Sequence, residues 1–162
     1  MSIQHLINIL IFINAVTAPP TQGTSVEYYD ESNNFHIADS ELGFYHKTDI
    51  SLIRRTAVLE TEIHLDSRGA RVSQAAEPPV SRIDLLAVGG SQTFGPGVDN
   101  RQTFALQIAS RLGVSARNFG VGGQGGVESL ILLKRNIDLD PKVVVYGFWE
   151  DHFKRNVRIC MA

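Results

Sequence analysis

The stretch Ile83-Asp-Leu-Leu-Ala-Val-Gly-Gly-Ser-Gln-Thr-Phe-Gly95 decides the fold of this chain. Its apolar run over residues 83–88 ends in two glycines and a serine. A short apolar run predicts a strand that is buried on both faces, as in the middle of a parallel sheet. The loop after such a strand lies at the edge of the sheet where ligands bind. We therefore expect Ser91 to stand at a ligand-binding edge.

The rest of the second half alternates predicted helices with predicted strands. Phe104, Ile108 and Leu112 recur every four residues, which predicts one apolar face of a helix that ends at Gly113. The remaining predicted elements are a strand at 114–119, a helix at 127–136 and a strand at 142–147. This alternation is typical of an α/β domain with a parallel sheet and right-handed crossovers, here over residues 81–162.

The first half has a different composition. Residues 1–53 hold six acids and a single base, Lys47, although the formal net charge of the whole chain is only −2. Residues 6–16 are apolar but fewer than the roughly 20 residues that a membrane span needs, so we expect no transmembrane span. Residues 1–18 are either a signal segment without a basic start or an apolar element packed on the domain. The localisation of the protein stays open between export and the cytoplasm.

Residues 19–80 are predicted to form an acidic linker followed by a small β segment. Apolar and polar residues alternate over positions 59–65, which predicts a half-buried strand. His64 falls on the polar side of that alternation, so we expect a solvated histidine rather than a metal ligand. The pair Pro78-Pro79 lies in the best candidate for a domain boundary, residues 74–81.

Composition excludes several classes of function. A net charge of −2 provides no excess of basic residues to neutralise phosphates, so we expect no nucleic-acid partner. The single cysteine, Cys160, has no internal partner for a disulfide. No set of residues has the spacing of a metal site, and we expect neither a metal nor a cofactor.

Two glycine-rich loops invite comparison with phosphate-binding motifs. Gly95 is followed by Pro96 instead of the lysine and hydroxyl residue of a P-loop. The spacing Gly120-x-Gly-x-x-Gly125 matches a dinucleotide fingerprint. The acid that should follow the next strand is missing, however, since Asp138 and Asp140 precede that strand. The sequence therefore disfavours a nucleotide site.

Ser91 is a better candidate for chemistry. A serine between a buried strand and a helix presents both its hydroxyl and its own N–H to the cleft. A serine nucleophile needs a base to take its proton and N–H donors for the oxyanion that develops. The loop over residues 120–126 can supply such donors, because glycine lets the backbone approach a substrate closely.

Three segments, each after a predicted strand, carry a family resemblance. They read Gly89-Gly-Ser-Gln-Thr-Phe-Gly95, Asn118-Phe-Gly-Val-Gly-Gly123 and Tyr146-Gly-Phe-Trp-Glu-Asp151. In spacing and order they resemble three blocks of the SGNH (GDSL-like) hydrolases, over about residues 82–157. The resemblance implies a flavodoxin-like three-layer α/β/α domain, incomplete here with about three strands. It also implies Ser91 as nucleophile and one oxyanion donor, with Gly123 as the second donor.

The chain departs from that family pattern at three places. Gly90 stands where the family usually has aspartate, and Glu150 stands near the position of an asparagine that is the third oxyanion donor. An ionised Glu150 would repel an oxyanion. No Asp-x-x-His occurs at any of the five histidines, so we expect the C-terminal part with the base to be missing. His152 is an alternative base, or else a polar residue that opens a helix.

The resemblance implies a serine ester hydrolase that acts on acyl or acetyl esters of lipids, carbohydrates or small molecules. Because the catalytic Asp and His are missing, we expect this chain to be weakly active or inactive. The alternative is a non-catalytic accessory domain that keeps the cleft to bind a carbohydrate or an acyl ligand. A truncated gene product without independent function is a third interpretation, and no oligomeric state is predicted.

Overall fold

The computed structural model describes residues 35–55, 59–75, 77 and 79–159, with the side chains of 157–159 excepted. It begins with two antiparallel strand pairs. Strand β1 (His36–Asp39) pairs with β2 (Gly43–His46), and β3 (Ile50–Arg55) pairs with β4 (Glu60–Leu65). The predicted strand at 59–65 is thus confirmed as β4.

The second half contains a three-stranded parallel sheet. Its strands are β5 (Leu85–Gly89), β6 (Ala116–Asn118) and β7 (Val143–Gly147), in the order β6-β5-β7. All five residues of β5 are buried, because the strand has a neighbour on each side and side chains packed on both faces. The α/β class and the parallel sheet predicted from the sequence are confirmed.

Four helices complete the described chain. They are α1 (Ser91–Phe94), α2 (Phe104–Leu112), α3 (Gly126–Arg135) and α4 (Asp151–Ile159), with 3-10 turns at Asn100–Gln102 and Ile137–Leu139. Gly113 ends α2 in the left-handed conformation with φ 66°, as its position at the end of the apolar pattern predicts.

The two faces of the parallel sheet bury different side chains. Leu86 and Val88 point to a core that contains Leu132 of α3, whereas Leu85 and Ala87 pack with Ala105, Leu106 and Ala109 of α2. The strand period of two therefore divides β5 between two helices on opposite faces. Leu42 and Ala70 from the first half join the core on the α3 side.

The apolar run at 6–16 and the acidic residues up to 34 lie outside the described residues. Within the ranges that are described, no helix has both the length and the apolar character required to cross a membrane.

The prediction of a solvated His64 is wrong, since this residue is 7% exposed. Its Nδ1 lies 2.9 Å from the Ser51 hydroxyl oxygen on β3, and its Nε2 lies 3.1 Å from a carboxylate oxygen of Glu62. The backbone N–H of His64 donates to Asn100 Oδ1 at 3.0 Å. The turn that holds Asn100 covers this face of the strand, and alternation along the strand could not predict that cover.

Arg71 connects β4 to the parallel sheet. Its backbone pairs with Leu65 of β4 on one side and with Asn118 of β6 on the other. The side chain is fully buried, and burial lowers the pKa of the guanidinium to about 10, so the group stays charged at neutral pH. The guanidinium donates five hydrogen bonds, to Asn100 Oδ1 and to the carbonyl oxygens of Glu62, Phe94, Gly95 and Val98.

The first prediction concerns Arg71. Replacing it in Arg71→Met leaves several buried oxygens without a donor, so we expect the free energy of unfolding to fall by about 3 kcal/mol or more. Urea denaturation measures the loss. Arg55→Met removes an exposed ion pair with Glu60 and serves as the control, with an expected loss below about 1 kcal/mol. Equal stability of the two variants would contradict the structural role of Arg71.

His46 is a fully buried histidine in the β1–β2 pair. Its ring lies 4.8 Å from the ring of Phe94 and 5.5 Å from that of Phe35, measured between centroids. Its Nδ1 lies 2.9 Å from the Gly69 carbonyl oxygen, so Nδ1 carries a proton and donates it. Burial lowers the pKa of His46 from 6.5 to about 4.

The second prediction is a stability that depends on pH through His46. The unfolded chain binds a proton near pH 6.5 and the folded chain only near pH 4, so this stabilisation is complete above 6.5 and is lost as pH falls towards 4. The loss amounts to about 3 kcal/mol. His46→Asn keeps a donor near the Nδ1 position but cannot titrate, so its stability should vary less over this window. An unchanged pH profile of the unfolding free energy in the variant would show that His46 is not the titrating group.

Candidate functional site

The turn that carries Ser91 is packed directly on the ends of the parallel strands. A Cβ atom at Gly89 or at Gly147 would overlap the Thr93 hydroxyl oxygen. A Cβ at Gly120 would lie 2.5 Å from the backbone nitrogen of Phe94. Glycine at these three positions lets helix α1 lie against the sheet edge, and the close packing fixes Ser91 at the end of the central strand.

Asn118 ties this turn to the glycine loop, residues 120–126. The side chain is fully buried at the end of β6. Its Nδ2 donates to the Thr93 carbonyl oxygen at 2.7 Å, and its Oδ1 accepts the Gly120 N–H at 2.9 Å. One amide group therefore holds both loops at a fixed separation. The sequence placed Asn118 in the second block but did not predict this structural role.

The structure brings Ser91 and the glycine loop together. A Cβ at Gly122 would lie 3.9 Å from the Cβ of Ser91, and Gly123 follows with φ +85°, a conformation that favours glycine. Among the described residues, none accepts a hydrogen bond from the Ser91 N–H or the Gly123 N–H. Both donors are thus available at this corner of the protein.

The first half of the chain also reaches the glycine loop, through β2. Gln124 Nε2 donates to the carbonyl oxygen of Phe44 at 2.7 Å. The Phe44 ring lies beside Gly123, with its Cζ 3.5 Å from the position that a Cβ there would take. Phe44 is therefore a wall of the candidate site, and sequence patterns did not single it out because it lies in the acidic segment.

His152 lies behind the Ser91 turn. It stands in the first turn of α4, as the helix-opening interpretation expected, and it is 1% exposed. Its Nδ1 lies 2.8 Å from the Tyr146 hydroxyl oxygen. Its Nε2 faces Gly90 and would lie 2.7 Å from a Cβ at that position. Burial and the positive charge of Arg155 lower the pKa of His152, while the charges of Glu128 and Asp151 oppose this.

Two further side chains of α4 support the glycine loop. Arg155 Nη1 donates to the Gln124 carbonyl oxygen at 2.9 Å. Asn156 Oδ1 accepts the N–H groups of Gly126 at 2.8 Å and Val127 at 3.2 Å, so it caps the start of α3 from a neighbouring helix. The helix that carries His152 is thereby fixed to the loop that carries Gly123.

Glu150 and the Ser91 hydroxyl remain apart from these contacts. Glu150 is exposed just before α4, and its carbonyl oxygen accepts the Phe153 N–H at 3.1 Å. In the described part of the chain, no side chain hydrogen-bonds the Ser91 hydroxyl, and the ring of His152 hydrogen-bonds only Tyr146. The structure therefore brings Ser91, the glycine loop and His152 to one edge without joining serine to histidine.

No protein-family model matches this chain, and no curated protein matches it. The likeness to the SGNH hydrolases thus depends on the three sequence segments that carry it.

The third prediction tests the packing of the Ser91 turn. The new methyl group in Gly120→Ala would meet backbone atoms of α1 that cannot rotate away, so we expect a loss of about 2–3 kcal/mol in unfolding free energy. Gly122→Ala is the matched control, because its nearest contact is an ordinary 3.9 Å and its cost should stay below about 1 kcal/mol. Thermal and urea unfolding of both variants measure these losses of unfolding free energy. Similar losses in the two would mean that α1 is not held at this distance.

Proposed function

We propose that this chain is a serine ester hydrolase of the SGNH type, with a flavodoxin-like domain and Ser91 as its nucleophile. The observation that carries the proposal is the position of Ser91 at the end of the buried central strand, beside Gly122. The N–H groups of Ser91 and Gly123, which have no acceptor among the described residues, support it as oxyanion donors.

The proposed reaction begins with attack of Ser91 Oγ on the carbonyl carbon of an ester. The new C–O bond moves an electron pair onto the carbonyl oxygen, and the two N–H groups stabilise the resulting negative charge. Collapse of this intermediate breaks the bond to the alcohol, which takes a proton from water as it leaves. Water then hydrolyses the acyl-serine. The substrates proposed are acyl or acetyl esters of lipids, carbohydrates or small alcohols.

Activation of Ser91 is the weak step in this scheme. No described side chain accepts a hydrogen bond from its hydroxyl, so in this chain the serine proton passes to water. Loss of a positioned base typically costs several powers of ten in rate. We therefore expect slow turnover of simple esters, and we choose a test that detects a single covalent event.

The fourth prediction is that a fluorophosphonate modifies Ser91. Mass spectrometry should find the adduct on Ser91 in the wild type and no adduct in Ser91→Ala. Ser110→Ala changes an exposed serine of α2 and serves as the control, with labelling equal to wild type. The weak hydrolysis of p-nitrophenyl acetate should follow the same pattern. An adduct at another residue, or unchanged hydrolysis in Ser91→Ala, would show that the nucleophile is wrongly assigned.

The second candidate function is a non-catalytic accessory domain that binds a carbohydrate or acyl ligand. The lack of a described base at the Ser91 hydroxyl favours it, and so does Glu150, which stands in the sequence near the position of the family's third oxyanion donor. Calorimetric binding of an acetylated oligosaccharide, together with no fluorophosphonate labelling of Ser91, would support this function over the hydrolase.

A further inference from the structure

The two ring nitrogens of His152 have different surroundings. Nδ1 lies 2.8 Å from the Tyr146 hydroxyl oxygen. Burial raises the pKa of Tyr146, so its phenol keeps the proton at neutral pH. A phenol is a good donor, and the unprotonated nitrogen of imidazole is a strong acceptor. The Tyr146 O–H therefore donates to Nδ1, and the single proton of the neutral ring lies on Nε2.

The surroundings of His152 keep the ring neutral. Burial has the largest effect on its pKa, and the guanidinium of Arg155 lowers that pKa further. The carboxylates of Glu128 and Asp151 act in the opposite direction, but the pKa remains below the usual value of 6.5. A neutral ring with a proton on Nε2 is a hydrogen-bond donor and has no lone pair there to accept the serine proton.

The Nε2–H is directed at the turn that carries Ser91. Nε2 lies next to Gly90. A Cβ atom at that position would be 2.7 Å from Nε2. The Gln124 carbonyl oxygen near the same position already accepts from Arg155. In the described part of the chain, Nε2 makes no hydrogen bond. An N–H without a protein partner at the edge of a site calls for an explanation in the function of that site.

We propose that His152 serves the Ser91 site as a neutral hydrogen-bond donor and not as the base. Nε2–H donates to an oxygen of the bound ester, and Tyr146 selects the tautomer that makes this possible. The inference rests on the proposed hydrolase function and adds a third donor, on the α4 side of the site. No proton changes place at His152, because the donor only stabilises negative charge on the substrate oxygen.

Nitrogen NMR tests the tautomer on the intact wild-type chain, independently of any activity. The ¹⁵N chemical shifts of the two ring nitrogens of His152 show which one carries the proton. We expect the proton on Nε2 at neutral pH, and a mixture of tautomers in Tyr146→Phe, which has no donor for Nδ1. A wild-type ring with its proton on Nδ1, or a doubly protonated ring, would overturn the inference.

The rate of fluorophosphonate labelling at Ser91 tests the role of the donor. A glutamine amide places an N–H close to the position of Nε2 but cannot act as a base. We expect His152→Ala to slow labelling about 100-fold, as loss of one oxyanion donor does, and His152→Gln to stay within about tenfold of wild type. Equal loss in both variants would overturn the donor role. His64→Gln, at a buried histidine that belongs to β4, should leave the rate unchanged.

The experiments distinguish a failure of the hydrolase function from a failure of the donor role of His152. If Ser91 is not labelled in the wild type, the hydrolase function fails, and the substrate role of His152 fails with it. If Ser91 is labelled and the Gln and Ala variants at His152 both match the wild-type rate, the hydrolase function stands and the donor role is overturned. Circular dichroism of each variant shows whether a slow rate reflects unfolding.

Discussion

The close approach of helix α1 to the ends of the parallel strands is the constraint on which the site depends. Gly89, Gly120 and Gly147 come from three different segments, and a side chain at any of them would occupy space that Thr93 or Phe94 fills. Each glycine costs about 0.5–1 kcal/mol more conformational entropy than alanine would. Glycine is needed at these positions because a longer distance between α1 and the sheet would move Ser91 away from the glycine loop.

The first half of the chain helps to hold the same turn. Arg71 bonds the carbonyl oxygens at the end of α1, where the helix dipole favours a positive charge, and its backbone joins β4 to β6. Arg135 of α3 pairs with Asp39 and Glu41 beside the β1–β2 turn. The Arg71 contacts make the N-terminal β segment a structural support of the Ser91 turn, whereas the Arg135 pairs hold that segment to the other end of α3.

Sequence patterns could predict the elements whose cause is local. The buried run of β5, the apolar face of α2 and the glycine that ends it follow from neighbouring residues, and so does the Ser91 turn. Local patterns within residues 19–80 do not predict the β1–β2 pair, because its acids pair with a cation, Arg135, that lies 94 or more residues away. Arg71 likewise has no local signal of burial, since its five acceptors come together only in the folded chain.

Gly90 is a departure from the pattern of the resembling family, and the structure relates it to His152. An aspartate before the serine would place its Cβ 2.7 Å from Nε2, so the imidazole could not keep its position. The ring cannot turn aside easily, because Tyr146 holds Nδ1 and Phe148 lies edge-on to it. The observed position of the His152 ring therefore requires glycine at position 90. In the proposed mechanism, this pair replaces a carboxylate beside the nucleophile with a neutral imidazole, which favours negative charge on a substrate oxygen.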